Sequence, residues 1–139
     1  MYLLDTNVVS ELRKARTKKI DKNVAAWAAS VFSEEMYISV VTVLELELGI
    51  LLVERRDKAQ GNILRTWFDR QVLPAFNKRI IEMDVIIAKR CAGLHVPDRR
   101  SDRDAMIAAT ALVHGMAIVT RNVSDFRDIG VSVINPWNA

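Results

Sequence analysis

Short apolar runs alternate with longer helical stretches along this chain, and that alternation constrains its fold more than any other feature. Tyr2-Leu3-Leu4, Met36 to Val40, Arg79 to Met83, Ala117 to Thr120 and Val131 to Ile134 read as strands. Between them, apolar spacing suits helices from about Thr6 to Arg13, Val24 to Phe32, Thr42 to Arg56, Gly61 to Val72, Val85 to His95 and Ser101 to His114. Leu44, Leu48, Leu51 and Leu52 form a helical stripe, while Pro74, Pro97 and Gly115 read as helix stops. Such alternation means an α/β fold with a parallel sheet and right-handed crossovers. No repeat, low-complexity tract or Pro/Gly/Ser linker interrupts the 139 residues, so a single domain spanning 1–139 is expected.

Composition narrows the class. Half of the residues are hydrophobic and 27% are charged, which fits a globular chain and argues against disorder. The oily region Ile38 to Val53 carries Glu45 and Glu47, so it is not a membrane span. Met1-Tyr2-Leu3-Leu4-Asp5 lacks the basic start and apolar core of a signal peptide. Cys91 has no second cysteine to pair with and reads as packing. A cytoplasmic location is the expectation. The net charge of +3 is compatible with a nucleic-acid partner without requiring one. Positive charge crowds into Arg13, Lys14, Arg16, Lys18 and Lys19, and again into Arg99, Arg100 and Arg103.

Four acids fall where a strand-like run gives way to a helix or loop: Asp5, Glu45, Asp104 and Asp125. In a parallel α/β fold those junctions gather at one edge of the sheet. Two readings are open. Thr42-x-x-Glu45 and Ser101-x-x-Asp104 fit the Ser/Thr-x-x-acid capping pattern, Asp5 suits a helix cap and Asp125 a turn. Alternatively, the four converge, and packed carboxylates need a proton or a cation to offset their repulsion. A hard divalent ion takes such oxygen ligands and keeps waters for a phosphate substrate, which points to metal-assisted phosphodiester cleavage. Thr6, Asn7, Ser39, Thr120 and Asn122 are candidates to orient the acids. Arg13, Lys14, Arg16 and Arg121 are candidates to contact the phosphates of such a substrate.

Several chemistries lack their signatures. There is no Gly-x-x-x-x-Gly-Lys loop, no Gly-x-Gly-x-x-Gly and no Cys-x-x-Cys. His95 and His114 read as structural, which disfavours a two-histidine ribonuclease. A phosphatase signature wants a second aspartate where Asn7 stands.

The chain resembles the PIN-domain ribonucleases, in particular VapC-type toxins of bacterial toxin–antitoxin pairs. The resemblance rests on Leu4-Asp5-Thr6-Asn7-Val8-Val9-Ser10-Glu11-Leu12, Ile38 to Leu46, Asp104-Ala105-Met106-Ile107-Ala108-Ala109-Thr110-Ala111, and Val119 to Phe126. The last block, with Asn135-Pro136-Trp137, looks like the FitB-like branch. The resemblance implies an α/β/α sandwich around a mainly parallel sheet of four to five strands. It also implies an acidic Mg²⁺ or Mn²⁺ site with Asp5, Glu45 and Asp104 in the family's acidic positions. Many relatives carry a fourth acid where Asn122 stands, and the FitB-like wording offers Asp125 instead, which is the reading favoured here. The implied activity is hydrolysis of RNA by metal-activated water. The implied partners are RNA, a cognate antitoxin and a second copy of the chain, with larger toxin–antitoxin assemblies in view. A PIN fold that binds RNA or protein but has weakened catalysis is the alternative.

Overall fold

The computed structural model describes residues 1–138. Five strands form one sheet in the order β3-β2-β1-β4-β5, with every pairing parallel. They are β1 (Tyr2–Leu4), β2 (Met36–Ser39), β3 (Ile80–Ile81), β4 (Ala117–Val119) and β5 (Val133–Ile134). Helices α1 (Thr6–Leu12) and α2 (Lys22–Ser30) connect β1 to β2, and α3 (Val40–Arg56), α4 (Lys58–Trp67) and the short α5 (Leu73–Ala75) connect β2 to β3. Helices α6 (Val85–Leu94) and α7 (Asp102–His114) lead from β3 to β4.

The strands alternate their burial between two apolar layers, as a two-residue side-chain period requires. Leu4, Ile38 and Val119 pack with Val8, Leu46, Ile50 and Phe68 from α1, α3 and the region after α4. Leu3 and Ile118 pack on the opposite side with Ile107, Ala108 and Ala111 of α7. Small residues let α7 lie close: Ala105, Ala108, Ala109 and Ala111 are fully buried. Ala105 and Ala109 turn toward Ile87 and Cys91 of α6, so Cys91 serves packing. This is the three-layer α/β/α arrangement. No helix among the described residues is long and apolar enough to cross a membrane.

Local chemistry shifts several expected boundaries. Helix α3 starts at Val40, not Thr42, because Ser39 caps it by accepting from the Val41 N–H at 3.0 Å. Asp21 likewise starts α2 at Lys22, taking the N–H groups of Asn23 and Val24. Strand β3 contracts to Ile80–Ile81, since the Arg79 N–H turns back to the Phe76 carbonyl. Pro74 does not stop the helical path after Gly61. A wider π turn, Phe68–Val72, precedes it, and the chain continues helically through Ala75. Proline cannot donate in an α ladder, and such widening accommodates the break. Gly115 does close α7, at φ 65°, where a side chain would be strained.

The leucine stripe of α3 faces outward. Leu44, Leu48, Leu51 and Leu52 are between 39% and 54% exposed, while Val41, Thr42, Leu46 and Ile50 form the buried side. Among the aromatic residues, Phe68 is buried, Trp27 and Trp67 are partly covered, and Phe32 is 74% exposed.

Candidate active site

The chain leaves β1 toward β2 and β3 on one side and later adds β4 and β5 on the other. This reversal leaves a crevice at the carboxyl ends of β1 and β4, where ligands of open α/β sheets bind. Asp5 sits there. Its N–H extends the ladder to the Val119 carbonyl at 2.9 Å, and its Oδ1 caps α1 by accepting from the Thr6 N–H at 2.8 Å. Its Oδ2 accepts from the Thr120 hydroxyl at 2.8 Å and from Asn7 Nδ2 at 3.5 Å. Capping and a role in the crevice therefore coexist at this residue.

The loop after β4 is tied to the loop after β1. Asn7 Oδ1 accepts from the Arg121 N–H at 3.2 Å, and Thr120 Oγ1 accepts from the Asn122 N–H at 3.0 Å. Asn122 thus contributes its backbone to this junction. Thr120 is fully buried, so its hydroxyl has little freedom to leave Asp5.

Glu45 arrives from α3. Because the cap is Ser39, Thr42 lies inside the helix and Thr42-x-x-Glu45 is no capping box. Glu45 Oε1 instead accepts from the Thr6 hydroxyl at 2.7 Å, and Thr42 Oγ1 lies 3.3 Å from the same hydroxyl. Glu45 Oε2 is 3.5 Å from Arg103 Nη1 in the first turn of α7. Asp104 follows in that turn, behind Ser101, which caps α7 by position without accepting a backbone N–H on its side chain. Asp125 lies on the single turn Val123–Phe126 after β4.

The four acids sense one another. Burial raises the Asp5 pKa most; the bonds from Thr120 and Thr6 oppose it, and the charges of Glu45 and Asp125 raise it further. Asp104 is pushed up to about 6, first by burial and then by the charges of Asp125, Asp5 and Glu45. Asp125 therefore belongs electrostatically to the group. Ser39 does not join it, being engaged as the α3 cap.

The donor set fits a hard divalent ion. All four side chains offer carboxylate oxygens, and their mutual repulsion is of the kind a cation relieves. Among the described residues, no three His, Cys, Asp or Glu side chains stand close enough to enclose one ion directly. Mg²⁺ does not demand an enclosing cage, since it usually keeps several waters and takes only one or two protein carboxylates.

A groove of about 560 Å³ opens from Thr6, Asn7 and Glu45 and runs past Arg13, Lys14 and Arg121. Arg16 lies instead in a neighbouring depression that also involves Arg13. Lys14 pairs with Glu11 at 3.1 Å. His95 is structural in its contacts, with Nδ1 accepting the Arg100 N–H at 3.1 Å. Sequence reasoning missed Thr42, Arg103 and Trp137, which borders the groove. Thr42 left a positional signal, standing one helical turn before Glu45 on the same side of α3. Arg103 stands out only as part of a basic cluster and Trp137 only within the Asn135-Pro136-Trp137 block, neither of which points to these contacts.

Comparison with known proteins agrees with this architecture. The PIN domain model matches residues 2–131. The chain is similar to the VapC ribonuclease Y4jK of Sinorhizobium fredii, with 35% identity over 99% of this chain and 98% of that protein. Toxin FitB of Neisseria gonorrhoeae is 34% identical over 99% of both. The crystal structure of FitAcB from Neisseria gonorrhoeae superposes with a TM-score of 0.88, at 33% identity and complete coverage of both chains. On its sheet order, its sequence and its whole-length similarity to these proteins, the chain belongs to the PIN-domain family.

Proposed function

We propose that this protein is a metal-dependent endoribonuclease and the toxin of a type II toxin–antitoxin pair, acting through a single domain of residues 1–139. The observation that carries the reading is the convergence of acids at the carboxyl ends of β1 and β4, where Thr120 and the Thr6 N–H hold Asp5 while the Thr6 hydroxyl holds Glu45, in a chain similar over its whole length to a VapC ribonuclease. The raised pKa of Asp104, from burial first and then from Asp125, Asp5 and Glu45, agrees with it. Asp5 and Asp104 would hold Mg²⁺ or Mn²⁺, and Glu45 and Asp125 would complete the shell directly or through water. When bound, the ion supplies an acidified water and offsets negative charge on the scissile phosphate.

The chain's own residues hold this arrangement ready. Thr120, Thr6 and Asn7 fix both Asp5 oxygens, so the carboxylate does not rotate away when RNA arrives. Thr6 also orients Glu45, linking β1 to α3 through one hydroxyl. Asp125 is exposed and makes no side-chain hydrogen bond among the described residues, which leaves it able to accept a proton from the attacking water. Arg13, Lys14 and Arg121 line the groove and would take phosphates of the strand, a contact that positions RNA without reading its sequence.

A cellular toxin needs neutralising, and an antitoxin segment carrying an arginine would complement the acidic crevice. The outward leucines of α3 offer an apolar face that a homodimer would cover. The test of the ribonuclease reading is cleavage of single-stranded RNA across a Mg²⁺ and Mn²⁺ titration. Losing an outer partner of a metal ligand costs about 10–100-fold, so Asp5→Asn or Asp104→Asn should cost more than about 100-fold. The ions should also raise the melting temperature of the wild type and not of either variant. Metal-independent cleavage, or undiminished cleavage by both variants, would defeat the reading. Asn122, standing where many relatives have an acid, favours the alternative of a weakened binding module; RNA bound but uncut at every metal concentration would select it.

A further inference from the structure

Trp137 borders the groove that begins at Thr6, Asn7 and Glu45, and its ring lies beneath a cation: the Arg121 guanidinium carbon is 5.2 Å from the ring centroid. We propose that Trp137 and Arg121 form a stacking platform for an unpaired nucleobase of the RNA, next to the scissile phosphate. The proposal rests on the ribonuclease reading and adds to it a substrate subsite.

Three observations carry it. The first is attachment to the site. Arg121 follows Thr120, the residue that binds Asp5, and its N–H is held by Asn7. A base resting on this pair therefore belongs to a nucleotide close to the acids. The second is rigidity. Trp137 is pinned at both backbone ends, its N–H donating to Asn135 Oδ1 at 3.0 Å and its carbonyl accepting from Asn23 Nδ2 at 2.7 Å. A fixed aromatic plane loses little freedom when a base settles on it.

The third is unspent charge. Arg121 has no carboxylate within ion-pair distance among the described residues, so its cation remains available to a phosphate while its guanidinium carbon lies over the indole. Sequence-tolerant recognition of single strands combines these two ingredients, a basic track and an aromatic surface. A paired base, with its faces covered by neighbours, cannot use such a platform. The predicted preference is for loops and single-stranded segments.

The experiment measures binding of a short single-stranded RNA in EDTA, where no cleavage occurs, and then steady-state cleavage with metal. Trp137→Leu should weaken RNA binding about 10–100-fold, and Trp137→Phe should recover most of the loss. The leucine keeps apolar packing, and melting curves of all variants confirm that the fold is retained. In cleavage, KM should rise by a similar factor while kcat at saturating RNA changes little.

An abasic scan of the RNA provides the specific readout. Removing one base near the cleaved bond should weaken the wild type and leave Trp137→Leu unaffected, so that the two losses do not add. Equal affinity of wild type and Trp137→Leu, or additive losses at every abasic position, would overturn the platform while leaving the ribonuclease reading intact. Loss of antitoxin-peptide binding with RNA binding unchanged would assign the surface to the protein partner and overturn it as well. If the wild type neither binds nor cuts RNA, the ribonuclease reading fails and the platform falls with it.

Discussion

Glu45 and Glu47 stand two positions apart on α3 and belong to different clusters of acids. Glu47 joins Glu54 and Asp69 around Arg65. Two short bonds, at 2.5 and 2.8 Å, run from the Arg65 guanidinium to Glu47, a third at 3.1 Å reaches Glu54, and Asp69 lies 3.8 Å away. The result is a lowered Glu47 pKa, caused chiefly by those hydrogen bonds, and a raised Arg65 pKa. Glu45 joins Asp5, Asp104 and Asp125, where burial first and neighbouring carboxylates second raise the pKa of Asp5 and Asp104. One cluster carries its own cation and fastens α3 to α4; the other has only the partly exposed Arg103 at its edge and leaves most of its negative charge uncompensated at a crevice. Uncompensated charge suits ligand binding, because the fold has already placed groups where only a cation makes them comfortable.

The largest expected effect separates the clusters by the sign of their stability response. Arg65→Ala strands three carboxylates and should lower stability by about 1–2 kcal/mol, allowing for partial exposure. That corresponds to a fall of roughly 3–6 °C in melting temperature. RNA cleavage should stay within a few-fold of wild type. Asp104→Asn should do the reverse in metal-free protein, melting higher while losing cleavage. Thermal melts in EDTA beside cleavage assays check both. A stabilising Arg65→Ala or a destabilising Asp104→Asn would break the contrast.

The contrast extends to pH. The Asp104 pKa of about 6 lies above the ordinary 3.8, so the folded chain binds this proton more tightly than the unfolded chain does. Its carboxylate therefore costs stability at neutral pH, the cost fades as pH falls through 6, and it is gone below the unfolded value. At pH 7.5, Asp104→Asn should exceed wild type by about 1 kcal/mol after solvent screening, or about 2–4 °C; by about pH 5 the gap should fall to roughly half, and it should close only below about pH 4. Glu47 behaves oppositely. Its lowered pKa contributes stability above about 4.5 that is lost only in more acidic solution. A pH series of melts on wild type and Asp104→Asn in EDTA resolves the two windows. A gap that widened toward pH 5 would show that Asp104 does not repel its neighbours.

Much of this was legible in the chain because it is local. Tyr2–Leu4 and Met36–Ser39 declare themselves as short apolar runs, and the acid after each strand end or in the following helix marks one edge of a parallel sheet. The misreadings came from competing local signals. Thr42-x-x-Glu45 imitates a capping box, yet the buried Ser39 three positions earlier already satisfies the helix start. The α3 leucines read only as a helical stripe, and spacing alone does not say whether that stripe faces inward; the packing of Leu46 and Ile50 shows that the other side does. Arg65, Arg103 and Trp137 act through partners distant in sequence, and no periodicity or motif announces such pairings.

Arg103 tests where the two clusters differ least. Its guanidinium, 3.5 Å from Glu45 Oε2, is a built-in cation at the edge of the acidic crevice. The pair is partly exposed, with 47% of the arginine side chain and 25% of the glutamate accessible, so it is far weaker than the Arg65 fork. It still competes with a divalent ion for the same oxygen. Arg103→Gln should therefore tighten Mn²⁺ binding, measured by calorimetry without RNA, by about 2–5-fold. Melting temperature should barely move, because an exposed pair contributes little. Weaker Mn²⁺ binding would mean that Arg103 orients Glu45 for the ion instead of opposing it, making the crevice partly self-compensated and narrowing its distinction from the Arg65 cluster.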